Sequence, residues 1–303
     1  MHRRRLGGGP ARLKRPSRQV TEYRFARGKE WSALRRWRSR LIGLLAVLGV
    51  VFLFGAPLAV MIATSLTPPA EVGSQFWPDQ PAWENYQAAL TQAPMLRYFM
   101  NTMVLVVLNV SAIIVVCPVI AYSLSKLRWR GRGAVLLAVL TTMMLPSQVT
   151  LIPVYAMWDK LHLVGTIWPL VIPHFFGYPF YIYMLRQFFL GIPNAYVEAA
   201  RVDGASEWRI LFRIVIPMAK PAIITVALFQ FVRTWTDFMA PLIYLQDNSK
   251  YTLSVGLYSF VQTHGTDWAP LMAACAMFTV PTFVLFLIGQ RYFVEGATVG
   301  GLK

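Results

Sequence analysis

The sequence predicts an all-α membrane protein that crosses the bilayer with six helices, and three observations support this fold class. Hydrophobic residues make up 56% of the 303-residue chain, and the mean hydropathy is +0.48. Charged residues make up only 14%, well below the roughly 25% of soluble domains. Six apolar runs approach the length of about 20 residues that a helix needs to cross the hydrocarbon layer. The chain is therefore expected to lie in a membrane.

The bounds of the six predicted membrane helices follow from these apolar runs. They are residues 41–62, 101–124, 134–157, 166–189, 218–236 and 268–290. Residues 63–100 form the longest loop, and its prolines and interface aromatics predict an ordered, non-helical segment. The predicted domains are a basic, disordered tail over 1–40 with an interfacial helix near 31–37, a six-helix transmembrane domain over 41–290, and a cytoplasmic tail over 291–303.

Helices three and four are interrupted by helix-breaking residues. These are Pro146, Pro153, Pro169, Pro173, Gly177 and Pro179. A proline removes an intrahelical hydrogen bond, so the freed carbonyl groups need partners from protein or water. Two interpretations stay open: the two helices line a cavity, or they are kinked helices that pack within a bundle.

The distribution of positive charge predicts the orientation of the chain. Its formal net charge of +16 would suggest nucleic acid as the partner of a soluble protein. Placing the N-terminus in the cytoplasm, however, puts 25 of the 29 Lys and Arg residues on the inner side, as the positive-inside rule requires. Both termini are therefore predicted to be cytoplasmic, and the charge predicts contact with the lipid bilayer and no nucleic acid.

The sequence contains no pattern typical of catalysis or metal binding. Cys117 and Cys275 fall within predicted membrane helices and belong to no metal-ligand spacing. No GxxxxGK[ST] phosphate loop and no catalytic triad is present. We therefore predict that the chain is not an enzyme, has no catalytic, cofactor-binding or metal-binding residues, and leaves any ATP hydrolysis to another chain.

A charged stretch between two apolar segments, residues 193–217, is hereafter called the EAA segment. Asn194 after Pro193 offers a helix start, Gly204 permits the positive φ of a sharp turn, and Ser206 suits the N-cap of a second helix. The second helix carries an apolar stripe with a spacing of three and four residues, formed by Trp208, Leu211, Phe212 and Val215. This pattern predicts two helices with a docking surface; an amphipathic helix lying on lipid is the simpler alternative.

Five stretches of the chain together resemble the permease subunits of carbohydrate-uptake ABC transporters, of the smaller maltose permease type. They are the EAA pattern at 198–217, WENY at 83–86, MLPSQVTLIPVY at 144–155, WTDFMAPL at 235–242 and RYFVEGATVGGLK at 291–303. The resemblance covers nearly everything after residue 41. It implies the type I importer permease fold, with six transmembrane helices and a cytoplasmic EAA coupling-helix loop, in a bacterial cytoplasmic membrane.

The resemblance also implies a docking role for the EAA segment on an ATPase subunit. Glu198 would lie near a basic partner, Gly204 would make the turn, and the aromatic face would fill a cleft. The expected docking residues are Glu198, Ala199, Ala200, Asp203, Gly204, Ser206, Trp208, Arg209, Phe212 and Pro217. The 291–303 tail resembles a segment that reaches between the ATPase subunits, whereas a frayed terminus is the plain alternative.

Polar and aromatic residues at membrane depth are the candidates for a substrate path, because burying polar groups in hydrocarbon is expensive. They are Asn101, Asn109, Gln148, Tyr178, Phe229, Gln230, Thr234 and Trp235. Hydrogen bonding between helices is the alternative role for the polar members. Arg233 and Asp237, four residues apart, are predicted to form a structural charge pair.

The resemblance implies a heteromeric importer. The expected partners are a second permease subunit, two ATP-binding subunits that carry ATP and Mg, and an extracytoplasmic solute-binding lipoprotein that delivers a sugar or oligosaccharide. Two alternatives remain open. One is an ABC permease for a different solute, such as a peptide or a polyol phosphate, and the other is an ion-coupled secondary transporter.

Overall fold

The structure, a computed structural model, describes residues 18–262 and 265–299. The described residues divide into two units at residue 60, one from 18 to 60 and one from 61 onward. The described part of the first unit belongs to one long helix, α1 (Arg18–Ser65). This helix corrects the prediction of a disordered tail over residues 1–40, at least from Arg18 onward. The stretch from 18 to 40 contains no proline and seven Arg residues, and arginine favours helix; residues 1–17 lie outside the described residues.

The second unit is built almost entirely of helices. Its helices are α2 (Glu84–Gln92), α3 (Met95–Ser125), α4 (Arg132–Thr142), α5 (Ser147–Lys160), α6 (Trp168–Val171), α7 (Pro179–Gly191), α8 (Asn194–Val202), α9 (Glu207–Ile210), α10 (Ile216–Met218), α11 (Lys220–Thr236), α12 (Met239–Tyr244), α13 (Leu253–Tyr258) and α14 (Trp268–Val299). Short 3-10 turns lie at Pro69–Glu71, Ile172–Phe176 and Asn248–Lys250, and a π-helical turn lies at Leu211–Val215. The strands β1 (Val261–Gln262) and β2 (Gly265–Thr266) pair antiparallel, with Val261 opposite Thr266.

Three helical stretches in the described residues are long and apolar enough to cross a membrane. They are Arg40–Ser65, Met95–Ser125 and Trp268–Arg291, and they contain the predicted helices 41–62, 101–124 and 268–290. A fourth crossing is formed if Glu207–Met218 and Lys220–Thr236, which meet at a bend of 81°, count as one span. The helix predicted over 268–290 continues to Val299, so the predicted tail over 291–303 is helical as far as residue 299. Residues 300–303 lie outside the described residues.

The predicted continuous helices 134–157 and 166–189 are each broken. The first separates into α4 and α5 around Pro146, whose extended backbone (ψ 132°) ends one helix before the next begins. The second separates into α6, a 3-10 turn and α7, because Gly177 adopts a φ of +81° and Pro179 cannot donate an amide hydrogen. The prolines noted in the sequence therefore divide these segments, and do not merely kink them.

Helix α3 lies at the centre of the second unit. It packs against α7 and α11, and α11 packs in turn against α14. Close approach in the last pair depends on Gly289, where a Cβ atom would come within 2.4 Å of Leu228 Cδ1. At its C-terminal end α3 shares an apolar cluster with α7 and the EAA segment, which includes Ile113, Cys117, Ala121, Leu185, Phe189, Ile210, Leu211 and Val215.

The N-terminal end of α3 is held by polar contacts to residues 248–253. The Asn101 side-chain amide donates to the carbonyl oxygens of Ser249 (2.9 Å) and Tyr251 (3.0 Å). The Thr102 hydroxyl accepts the Leu253 amide hydrogen at 2.8 Å. Tyr98 also contacts Gly256, where an added Cβ would approach the tyrosine ring to 2.2 Å. These contacts fasten one end of α3 to the segment before α13.

The loop predicted as non-helical at 63–100 contains helix α2. The asparagine of the WENY stretch explains the ordering of the segment, since the Asn85 amide donates to the carbonyl oxygens of Ser65 (3.0 Å) and Thr67 (2.9 Å). Tyr86 shares a 2.8 Å hydrogen bond with the Ser65 hydroxyl. The motif therefore fixes the end of α1 to the start of α2.

Candidate functional site

The EAA segment folds as two short helices joined by a turn, as the sequence predicts. Helix α8 begins at Asn194 directly after Pro193, and α9 begins at Glu207 after the N-cap Ser206. The Ser206 hydroxyl oxygen accepts the backbone N–H of Arg209 at 3.3 Å. Between the helices Gly204 has a φ of +76°, a backbone conformation that residues other than glycine adopt only at a cost in free energy. The prediction of the turn and of the cap is therefore confirmed.

The apolar stripe of the second helix divides into two faces. Ile210, Leu211 and Val215 are buried in the cluster at the C-terminal end of α3. Trp208 and Phe212 instead remain 62% and 52% exposed, and their rings stack with centroids 6.1 Å apart. The interpretation of the four residues as one apolar face was wrong in this respect. Residues four apart stay on one side of the helix, and the turn of α9 into a π-helix separates the two pairs.

The exposed pair lies within a larger set of accessible docking candidates. Glu198, Ala199, Asp203, Gly204, Ser206, Trp208, Arg209, Phe212 and Pro217 are all exposed, whereas Ala200 is buried. Val202, which the sequence did not single out, is 89% exposed. An apolar surface with a charged rim on a rigid helical support is suited to protein docking.

Two charged residues outside the predicted set hold the segment in shape. Arg201 on α8 forms a 2.8 Å salt bridge with Glu207 on α9, and Tyr122 on α3 donates its hydroxyl hydrogen to the other carboxylate oxygen at 2.5 Å. The hydrogen bond from Arg201 is the main cause that lowers the pKa of Glu207 below its usual range, and the same bond raises the pKa of Arg201. In the sequence, only the opposite charges of Arg201 and Glu207 pointed to this contact.

A buried lysine ties the start of the segment to the end of α3. The Lys126 ammonium donates to the carbonyl oxygen of Ile192 (2.6 Å) and to the side-chain oxygen of Asn194 (2.8 Å). Burial lowers the pKa of this lysine. On α7, the Arg186 guanidinium donates to the Leu124 carbonyl at 3.1 Å. The last turn of α3 therefore gathers polar contacts from both sides of the EAA segment.

A cleft of about 630 Å³ opens beside α8. Its lining is mostly charged or polar and includes Lys126, Arg128, Arg132, Asn194, Glu198, Arg201 and Glu207. Glu198, the first residue of the EAA pattern, therefore faces a groove formed with the turn between α3 and α4. Within residues 18–262 and 265–299, no group of three or more His, Cys, Asp and Glu side chains is placed to hold a metal ion.

Three of the substrate-path candidates form one buried polar cluster. The Thr234 hydroxyl accepts hydrogen bonds from the Gln230 amide (2.8 Å) and the Asn109 amide (3.4 Å). All three side chains are buried between α3 and α11. The amide oxygens of Asn109 and Gln230 have no hydrogen-bond partner. In this conformation the cluster joins two helices and is closed to a solute.

The remaining candidates are dispersed through the second unit. Trp235 is fully buried, donates to the Phe278 carbonyl at 3.1 Å and stacks between aromatic rings, so no face is open to a sugar. Asn101 holds the N-terminal end of α3, as described above. Gln148 on α5 and Phe229 on α11 are exposed.

Tyr178, a further substrate-path candidate, contacts Arg233. The guanidinium lies 4.4 Å from the centre of the tyrosine ring, and it donates to the tyrosine hydroxyl at 2.9 Å. The carboxylate of Asp237 instead accepts the backbone N–H of Ala240 at 3.3 Å. The predicted charge pair between residues 233 and 237 is therefore wrong, because each side chain satisfies a different neighbour.

The apolar helices are long enough to cross a membrane, and the EAA segment leaves the apolar side chains of Trp208 and Phe212 exposed. Comparison with known proteins identifies the family: the chain belongs to the binding-protein-dependent transport system inner membrane components, whose pattern matches residues 114–298. This family is one of integral inner-membrane transport components. The predictions of an ABC importer permease and of a subunit that is not an enzyme are thereby confirmed.

Individual relatives match over most of their length. The chain is 32% identical to the probable ABC transporter permease protein YurM of Bacillus subtilis over 89% of this chain and 91% of the relative. It is 29% identical to the arabinooligosaccharides transport system permease protein AraQ of Halalkalibacterium halodurans, over 89% of this chain and all of the relative. A crystal structure of a bacterial ABC transporter that imports the acidic polysaccharide alginate aligns with a TM-score of 0.74 at 26% identity, covering 84% of this chain and 97% of that chain.

Proposed function

We propose that the chain is half of the translocation path of an ATP-driven importer, and that its EAA segment receives the ATPase subunit. The observation that carries this proposal is the exposed, stacked pair of Trp208 and Phe212 above a buried inner face. An ATPase subunit would cover this pair, and aromatic side chains in the centre of an interface contribute about 2 kcal/mol or more to binding. Arg209, next to Trp208 in the chain, is exposed as well, and Glu198 lines the cleft beside α8.

The proposed cargo is a sugar or oligosaccharide. The AraQ relative is named for arabinooligosaccharides and the aligned transporter for alginate, so the cargo class is shared by two separate comparisons. Amide and hydroxyl groups such as Asn109, Gln230 and Thr234 suit sugar hydroxyls, provided that another conformation opens the cluster. A different ABC cargo, a peptide or a polyol phosphate, would leave the mechanism unchanged.

The proposed topology has six membrane crossings with both termini in the cytoplasm. The positive-inside distribution supports it, and the broken stretches α4–α5 and α6–α7 supply the two crossings that single helices do not make. Non-helical backbone at membrane depth is tolerated only where protein or water satisfies it. The breaks at Pro146 and Gly177 would therefore face the interior of the assembled complex.

The proposed assembly contains a second permease, two ATPase subunits with their ATP and Mg, and an extracytoplasmic binding protein. ATP binding would shift this chain between conformations only through contacts that differ between the two states. The EAA segment is the suitable point of entry, because it joins α7 and α11 along the chain and contacts α3 through side chains.

Transport by the reconstituted complex tests the proposed function. The permeases, the ATPase and the binding protein would be assembled in proteoliposomes and supplied with radiolabelled arabino-, malto- and alginate oligosaccharides. We expect uptake of one class that requires ATP and the binding protein. Uptake without ATPase subunits, driven by an ion gradient, would establish a secondary transporter instead, and uptake of a peptide would correct the cargo.

Changes at the turn and at the rim test the docking role. We expect Glu198→Lys and Gly204→Pro each to insert normally but to abolish the stimulation of ATP hydrolysis by transport substrate. The first reverses a charge in the cleft beside α8, and the second cannot adopt the positive φ of the turn. Glu84→Lys, an exposed acidic residue at the start of α2, is the matched control. Full stimulation in both variants would contradict the proposal.

A further inference from the structure

The carboxylate of Glu207 connects three helices that are separate in the sequence. One oxygen accepts a hydrogen bond from Arg201 on α8 at 2.8 Å, and the other accepts the hydroxyl hydrogen of Tyr122 on α3 at 2.5 Å. The Arg201 guanidinium also reaches the Lys126 carbonyl at 3.5 Å, where α3 ends. Hydrogen bonds to charged groups are stronger than those between neutral groups. We call Tyr122, Arg201 and Glu207 the tyrosine bracket.

The tyrosine bracket adds a directional contact to the apolar cluster around it. Ile210, Leu211 and Val215 are buried in that cluster, and their close packing holds α9 against α3. A hydrogen bond between a tyrosine hydroxyl and a carboxylate weakens steeply with distance and angle, so the bracket sets the position of α9 relative to Tyr122. Lys126 makes the other polar contact between α3 and the segment and holds the start of α8 through Ile192 and Asn194.

The connection to α3 is distinct from the covalent connections of the EAA segment. The segment continues into α11 through a bend of 81°, and it follows directly from α7 along the chain. Helix α3, in contrast, is connected to α9 through side chains, and Tyr122 lies 85 residues before Glu207 in the chain. Helix α3 is central to the second unit. Whether it moves with the EAA segment therefore decides how far a displacement of that segment reaches into the unit.

We propose that Tyr122 is a positioning residue that acts through Glu207, so that the EAA segment and the C-terminal end of α3 move as one body when the ATPase subunits close. The proposal rests on the proposed function, because it assumes that the ATPase engages the EAA segment. It goes beyond that function because it names α3 as the helix that moves with the EAA segment. It also names the tyrosine bracket as the contact that couples the two.

Amide hydrogen exchange in the assembled complex tests the proposal, and the probe is MgATP with vanadate. In the unmodified complex we expect the probe to change exchange both in residues 205–215 and in residues 122–133. Tyr122→Phe should retain the change in 205–215, because docking is intact, and should reduce the change in 122–133 about fivefold or more. A merely structural role for the hydroxyl would alter exchange equally with and without the probe.

Matched variants keep the outcome decisive. Tyr181→Phe removes a hydroxyl from another buried tyrosine of the same apolar cluster, and we expect it to behave like the unmodified chain. Glu207→Ala removes the acceptor of the Tyr122 hydroxyl together with the salt bridge to Arg201, so it should lose at least as much of the change in residues 122–133, and adding Tyr122→Phe should cause no further loss. If Tyr122→Phe transmits the full change to residues 122–133, or if Tyr181→Phe loses it equally, the inference is overturned. An unmodified complex without any change in 205–215 would contradict the proposed function itself.

Discussion

The two faces of the second EAA helix differ in burial although they share one kind of side chain. On the inner face, Leu211 and Val215 are almost completely buried against α3 and α7. On the outer face, Trp208 and Phe212 have more than half of their surface accessible. The inner pair stabilises the fold of this chain, and the outer pair is available to another one. Folding and the proposed docking would therefore depend on different residues of the same two helical turns.

The largest expected effect breaks the inner face. Leu211→Ala removes a fully buried side chain, and such a change costs about 2–5 kcal/mol. We expect a lower unfolding temperature in detergent and reduced insertion of the complete complex. Leu190→Ala, at a 46% exposed position on α7, is the control and should leave the unfolding temperature unchanged. An equal loss at both positions would contradict the distinction between the faces.

The next effect breaks the outer face alone. We expect Trp208→Ala to weaken binding of the ATPase subunit about 30-fold, the equivalent of about 2 kcal/mol, without a change in unfolding temperature. Titration of detergent-purified permease with labelled ATPase measures it. Trp77→Ala, which removes a 54% exposed tryptophan from the loop after α1, should bind normally. A lower unfolding temperature with unchanged ATPase binding would show that Trp208 belongs to the inner face, which stabilises the fold, and would contradict its assignment to the outer face.

The smallest effect concerns the turn that presents both faces. Gly204→Ala places a side chain at a φ of +76° in open space, so the cost is conformational only, about 1 kcal/mol. We expect binding and stability both to decline slightly, as measured by the same two assays. Gly191→Ala, also in open space but without a positive φ, is the matched control and should cost nothing. Identical binding and stability in the Gly204→Ala and Gly191→Ala variants would contradict the conclusion that the positive φ at Gly204 matters.

Local sequence signals predicted the EAA segment well. The helix start at Asn194, the glycine turn and the Ser206 N-cap each depend on neighbouring residues alone, and the structure confirms all three. Three of the long apolar runs also correspond to continuous helices that are long and apolar enough to cross a membrane.

Contacts between residues that are distant in the chain could not be predicted from the sequence. A helical period shows that Trp208 and Leu211 are near each other on the surface of a helix, but only the position of α3 decides which of them is buried. The same holds for Glu207, whose partner Tyr122 lies on another helix, and for Asp237, whose carboxylate accepts the backbone N–H of Ala240. Hydropathy also cannot tell a kinked helix from a broken one at Pro146.

The substrate-path candidates show the limit of polarity as a signal. Residues 109, 230 and 234 were chosen because polar groups are rare in hydrocarbon, and the structure brings them together, but as a closed contact between two helices. Polarity identified a meeting point of α3 and α11. A solute can reach this point only if those helices move apart. Transport assays on variants at Gln230 would show whether the cluster takes part in transport.

Helix α3 has its two ends fastened to opposite parts of the protein. Near Met95 it is held by residues 248–256, with Gly256 against the Tyr98 ring, and near Ser125 it is held by the tyrosine bracket and Lys126. Its 31 residues span about 46 Å. A helix that is fixed at both ends transmits a displacement in either direction. In the proposed importer, docking of a loaded binding protein near the N-terminal end of α3 would therefore act on the EAA segment before the solute has moved.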